Sequence, residues 1–266
     1  MSVAVGTTQV VLPTGGDMPL RRLVRAYLME AKYESLRMLR SPAFTVPFIG
    51  LPLLLYLFFG VFLARSMGGT SRVVMAVTLV NWSVYGMMGP GLFGFGITVA
   101  MERDQKLVTL KRALPAPPGC YLLGKMMMTL LFGAIVLALL VPAAVFYGHP
   151  GFTAGQYLAL LVVDILGGLP FCALGLFIGT RCSGQAAPGV ANLVFLPMMF
   201  LAGIFFPMPA SVQWTAYLSP AYYLAQLALG AAGLHAKGPT LLHVTVLVVF
   251  TLVLTLSSVR RLARAG

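Results

Sequence analysis

Six stretches of this chain, approximately 44–64, 73–100, 122–147, 156–180, 186–206 and 240–257, are apolar over the length a helix needs to cross a bilayer, which is roughly 20 residues. No other feature restricts the fold as much. Backbone surrounded by lipid has no water to satisfy it, so a spanning segment must bond internally as a helix or close into a barrel. Of the 266 residues, 59% are apolar and 9% are charged, whereas a soluble domain carries about 25% charged residues. A chain so poor in charge cannot cover a water-facing surface, and its apolar excess must face lipid. The expected fold class is an all-α integral membrane protein with six transmembrane helices occupying 42–266.

The charges lie between the apolar stretches and sort by side. The N-terminal segment holds Arg21, Arg22, Arg25, Lys32, Arg37 and Arg40. The turn after the second stretch holds Arg103, Lys106, Lys111, Arg112 and Lys125. Arg181 and the tail residues Arg260, Arg261 and Arg264 fall on the same side, making fifteen against three (Arg65, Arg72 and Lys237). The positive-inside rule makes the fifteen cytoplasmic. The chain therefore reads as a multi-pass protein of a bacterial inner or plasma membrane with both termini in the cytoplasm. A net charge of +12 would point to nucleic acid on a soluble fold. Here side-sorting accounts for it, and no nucleic-acid partner is expected. Cys172 lies within an apolar run and Cys120 and Cys182 in cytoplasmic loops, so no disulfide framework is expected. The run 10–12 is too short for the apolar core of a signal peptide.

Two segments are neither spans nor simple loops. After a flexible stretch at 1–17, residues 18–41 form a helical pattern with Asp17 as a candidate cap. Leu20, Leu23, Val24, Tyr27, Leu28, Ala31 and Met38 fall on one stripe and the basic residues on the other. That is the pattern of a helix lying in the headgroup layer against membrane lipid; the alternative is a basic stretch with no fixed structure. The second segment, 207–238, carries two short apolar runs broken at Ser219-Pro220 and rich in Trp214, Tyr217, Tyr222 and Tyr223. It reads as an outer re-entrant helical hairpin, with an interfacial aromatic loop as the alternative.

These features together resemble the type-2 ABC exporter permease family. The local matches are Glu102-Arg103-Asp104-Gln105-Lys106-Leu107, then Leu114-Pro115-Ala116-Pro117-Pro118 and Leu123-Gly124-Lys125, and further on Leu196-Pro197 through Phe206-Pro207 with Leu218-Ser219-Pro220-Ala221-Tyr222-Tyr223. The likeness covers nearly the whole chain from Leu20 and is strongest to the drug-efflux (daunorubicin-resistance) branch. It implies a permease without enzymatic activity of its own. Two separate cytoplasmic ATPase subunits would bind ATP and Mg, so no cofactor is expected on this chain, and a second copy or a paralogue would complete the path. The substrate would be hydrophobic or amphipathic: a drug-like molecule, a lipid or a glycan.

Within that resemblance, the cytoplasmic segment 101–118 fits a coupling element docked on the ATPase, carrying Glu102, Arg103, Asp104, Lys106, Lys111 and Arg112. Charge reversal at Glu102 is expected to uncouple it; a solvated loop is the alternative. The run Gly119-Cys120-Tyr121-Leu122-Leu123-Gly124-Lys125 imitates the start of a phosphate-binding loop, but Met126 stands where a Ser or Thr would hold Mg²⁺. Asn81, Trp82 and Tyr85 share a helix face in the second span. With Asp164 and Phe205 they are candidates for a substrate path, packing between helices being the alternative. Asp164 is the acidic residue inside an apolar span. An intramembrane carboxylate is a functional candidate by default, which keeps open a proton- or ion-coupled transporter or channel. Gly175 and Gly179 form a small-xxx-small pair that permits close helix contact. His149, His235 and His243 are scattered without acidic company, so no metal site is expected.

Overall fold

The computed structural model describes residues 19–63, 66, 71–108, 110, 119–205 and 210–264. Among the described residues there is no strand. Helix α1 (Leu20–Leu39) is followed by the long helices α2 (Pro42–Leu63), α3 (Arg72–Asp104), α4 (Cys120–Gly148) and α5 (Ala154–Arg181). Next come α6 (Ala187–Leu201), a 3-10 stretch (Ala210–Leu218), α7 (Pro220–Ala231) and α8 (Thr240–Arg264). Five of these, namely α2 to α5 and α8, are long and apolar enough to cross a membrane. The fifth expected span is a shorter apolar helix, α6, of 15 residues, about 22 Å at 1.5 Å per residue.

Prolines set the boundaries. Pro42 and Pro220 open their helices at the first turn, where a missing N–H costs nothing. Inside α3, Pro90 removes an intrahelical bond, and the helix widens into a π-helical stretch over Pro90–Ile97. The stretch is rich in glycine, and α5 packs directly on it. A Cβ on Gly96 would lie 2.7 Å from the Gly175 carbonyl oxygen, so here backbone meets backbone. Helix α3 is the centre of the molecule: 78% of its apolar window is buried, against 17% for α8, which therefore lies at the edge. Around α3 runs an aromatic wall in which Trp82 meets Phe205, Phe59 and Tyr85. Phe195 then bridges Tyr85 and Phe93.

The structure revises one of the sequence-based boundaries and shows which face of α1 is buried. Glu102, Arg103 and Asp104, expected in a segment beginning at 101 after the second span, form the last turn of α3, and the chain turns only at Gln105 and Lys106. Helix α1 exposes Leu20, Val24 and Leu28 as the stripe requires, but its buried face is Ala31, Glu34, Ser35 and Met38. That face lies on α4, where Gly124 leaves room for Glu30 and Ala31. The flexible segment 1–17 with Asp17, the coupling residues Lys111 and Arg112, the stretch 114–118, and Pro207 and Pro209 lie outside the described residues.

Candidate functional site

Where α1, the end of α3 and the start of α4 meet, four charges are gathered. Lys125 on α4 is 1% exposed, Glu34 on α1 is 4% and Glu102 on α3 is 3%. Three buried ionisable groups from helices far apart in sequence can persist only if they neutralise one another. The Lys125 ammonium donates to Glu34, to Glu102 Oε1 at 3.1 Å and to the Thr98 hydroxyl at 3.1 Å. Arg37 donates to Glu102 Oε1 at 2.5 Å, and its Nη1 lies 3.7 Å from Glu34. The Tyr121 hydroxyl donates to the other Glu102 oxygen at 2.7 Å. Two carboxylates thus face two cations, and every oxygen of Glu102 is occupied. Burial would lower the Arg37 pKa, but the ionised Glu102 and Glu34 outweigh it and hold the guanidinium above its ordinary value.

The next two residues tie α3 to α5. Arg103 donates to the Gly179 carbonyl at 3.1 Å and the Cys182 carbonyl at 2.6 Å, capping the end of α5. The Gly184 N–H donates to Asp104 Oδ2 at 2.6 Å. Of the six residues expected to couple to an ATPase, Glu102, Arg103 and Asp104 are therefore brought together, with their hydrogen bonds directed into this chain. Lys106 is exposed at a left-handed turn (φ 59°), followed by exposed Leu107 and Leu110. Glu34 and Arg37 were not among the expected site residues, although a carboxylate between Ala31 and Met38, on the face that carries the apolar stripe, was the visible sign. Lys125, which occupies the lysine position of the phosphate-loop look-alike, is committed to the two glutamates.

The expected path residues separate into two places. Asn81 donates to the Ile204 carbonyl at 3.3 Å. Trp82, Tyr85 and Phe205 belong to the aromatic wall. Asp164 lies elsewhere, fully buried on α5, and neither carboxylate oxygen has a hydrogen-bond partner among the described residues. Its polar neighbour is Ser83, whose hydroxyl donates instead to the Val80 carbonyl at 2.8 Å. Ser83 follows Trp82 directly, so the two occupy different faces of α3.

Comparison with known proteins adds two findings. Residues 26–232 match the ABC-2 type transporter family. The chain is also 24% identical over 229 residues, 85% of its own length and 92% of the relative's, to "Putative transport permease YvfS" of Bacillus subtilis (strain 168).

Proposed function

Because the chain belongs to the ABC-2 type transporter family, we propose that it is the membrane subunit of an ATP-driven exporter. It moves a hydrophobic or amphipathic substrate (drug-like, lipid or glycan) out of the cytoplasm or inner leaflet, in the manner of the drug-efflux branch. Two cytoplasmic ATPase subunits supply ATP hydrolysis. Six spans, α6 among them, cross a bacterial inner or plasma membrane with both termini inside. Helix α1 lies in the inner headgroup layer on anionic lipid, and the 3-10 stretch with α7 dips back into the outer leaflet as a hairpin.

The observation that carries this reading is the buried charge cluster with its Arg103 and Asp104 extensions. An engine outside the membrane must convert its own closing into movement of several spans at once. At the turn that follows α3, Gln105, Lys106, Leu107 and Leu110 are exposed, while the residues just before them are bonded to α1, α4 and α5. A push on that turn is delivered to all of them together. In this division of labour Lys106, Leu107 and Leu110, with Lys111 and Arg112 beyond, meet the ATPase; Glu102, Arg103 and Asp104 pass the movement inward.

The test is to purify the tagged chain from its native membrane and assay the ATPase that accompanies it. The double variant Lys106→Glu/Leu110→Asp is expected to lose the partner or its substrate-stimulated turnover while keeping the thermal midpoint of the isolated chain. Recovery of the chain alone, with transport indifferent to nucleotide, would remove the exporter reading.

Asp164 favours a second reading, a proton- or ion-coupled carrier or channel. A carboxylate with no partner in a buried, intramembrane position is costly to ionise, and a proton relay would use that cost. The exporter reading expects Asp164→Asn, equal in shape and uncharged, to leave ATP-dependent transport unchanged. Abolition of transport by this substitution, together with independence from ATP, would establish the carrier instead.

A further inference from the structure

A polar cavity of about 310 Å³ opens where the start of α3 meets the end of α6, the 3-10 stretch, α7 and the loop that leads into α8. Val73, Val77 and Asn81, four residues apart, line it along one side of α3, a wall about 12 Å long at 1.5 Å per residue. Its other polar linings include Gln226 of α7 and His235 and Lys237 of the loop. Neither loop residue has a carboxylate partner among the described residues. No carboxylate lines the cavity, and the sequence holds no acidic residue after Asp164.

Two amides are half used there, and in opposite senses. Gln226 is 8% exposed, and its Oε1 accepts the Lys237 N–H at 2.6 Å. Only the oxygen of an amide can meet an N–H, so Nε2 is the end left over, without a partner among the described residues. A donor on a nearly buried side chain that lines a cavity calls for an acceptor inside it. Asn81 is turned the other way: its Nδ2 donates to the Ile204 carbonyl, which leaves Oδ1 as an acceptor. The loop carrying the positive charge is held on three sides. Gln226 takes the Lys237 N–H, the Lys237 carbonyl meets His243 Nε2 of α8 at 2.8 Å, and Gln156 of α5 donates to the Ala232 carbonyl at 2.8 Å. A ligand therefore finds this loop already ordered.

From this we infer that the cavity binds the anionic head of an amphipathic molecule, a phosphate or carboxylate joined to a small apolar body. The Lys237 ammonium and the Gln226 amide donate to the anionic oxygens, as charge-assisted hydrogen bonds. Asn81 Oδ1 accepts from a hydroxyl, and Val73, Val77, Leu229 and Leu234 cover the apolar part. A cationic molecule would meet Lys237 with no carboxylate to offset the repulsion. The inference rests on the exporter reading for treating this molecule as cargo, and it narrows that cargo to anionic amphiphiles. Asn81 directly precedes Trp82, so the floor of the cavity adjoins the aromatic wall.

The test is calorimetric titration of the detergent-purified full chain with hexyl phosphate. Saturable binding is expected, with none for hexanol or hexyltrimethylammonium, and inorganic phosphate should bind at least about tenfold more weakly for want of the buried methylenes. Lys237→Gln should weaken hexyl phosphate roughly 10- to 100-fold, the loss of one hydrogen bond to a charged group. Gln226→Glu keeps an oxygen for the Lys237 N–H but replaces the free donor by a negative charge. It is expected to abolish hexyl phosphate binding and to admit hexyltrimethylammonium, with the thermal midpoint of the unliganded chain unchanged. Hexyl phosphate bound equally well by both variants would place it elsewhere, on the basic residues of α1, and overturn the inference. Inorganic phosphate binding as tightly would overturn the amphiphile in favour of a free anion. A chain that binds no hexyl phosphate but still recruits an ATPase would overturn this inference and leave the permease reading standing. The expected pattern in a chain that recruits no ATPase would support the site and remove the exporter reading.

Discussion

Lys125→Met is expected to be among the most damaging single substitutions in the chain, costing about 3–5 kcal/mol, the range for breaking a buried ion pair by removing one partner. The reason is geometric. Lys125 stands between Glu34 and Glu102 and bonds both, and all three side chains are nearly inaccessible to water. Removing the ammonium leaves two buried carboxylates facing each other with only the half-exposed Arg37 to neutralise them. One of them must take up a proton or drag α1 off α4 to reach water. The effect should therefore appear as a large fall in the thermal midpoint of the detergent-purified chain, with increased proteolysis of α1. Arg37→Met should fall much less, because its guanidinium is already half in water. The double variant Glu34→Met/Lys125→Met removes one charge of each sign and leaves Glu102 paired with Arg37. It is expected to recover most of the loss, since replacing a buried pair by apolar groups of similar volume is often nearly neutral. A double variant as unstable as the sum of its singles would show that the cluster is not what holds α1 in place.

Five long apolar helices could be read directly because the bilayer imposes a length and a polarity that composition alone satisfies. Sorting of Lys and Arg leads to an expected orientation on the same physical ground. What could not be read was pairing at a distance. Glu34 and Lys125 are separated by 91 residues, and nothing local announces that they touch. Their positions did carry a signal. Lys125 lies just inside an apolar run and Glu34 on the buried side of α1, and neither site tolerates a lone charge. The end of α3 was misplaced for a related reason. Charge after an apolar run reads as a loop, whereas Glu102, Arg103 and Asp104 stay helical because α1, α4 and α5 supply their partners. The spacing of Asn81, Trp82 and Tyr85 put them on one helix, and it could not foresee that Phe195 and Phe205 would close on Trp82 and Tyr85. Asp164 was legible as an anomaly, but its neighbour Ser83 was not.

The seam between α3 and α5 yields a second large effect, from the smallest possible change. Gly175→Ala adds one methyl group at a point where backbones touch. That carbon would collide with the Gly91 carbonyl oxygen and lie 3.1 Å from the Gly96 nitrogen. These are main-chain atoms, so no rotamer change relieves the contact. The helices must separate instead, and Gly96 facing Gly175 and Gly91 facing Phe171 leave no slack along the seam. Overpacking of this kind costs about 1–3 kcal/mol where side chains can yield, and a rigid backbone contact belongs at the upper end. The same seam ends at Arg103 and the Gly179 carbonyl, so separation there also loosens the link from the turn at Gln105 and Lys106 to α5. Gly175→Ala is accordingly expected to lower both the thermal midpoint and the coupled ATPase turnover. Gly50→Ala is the control, because a Cβ there meets nothing within 4 Å. In a helix it should be neutral or stabilising by at most about 1 kcal/mol. If Gly175→Ala proved as mild as Gly50→Ala, the two helices would have to be farther apart than the structure places them, and Arg103 could not span the gap to α5 as described.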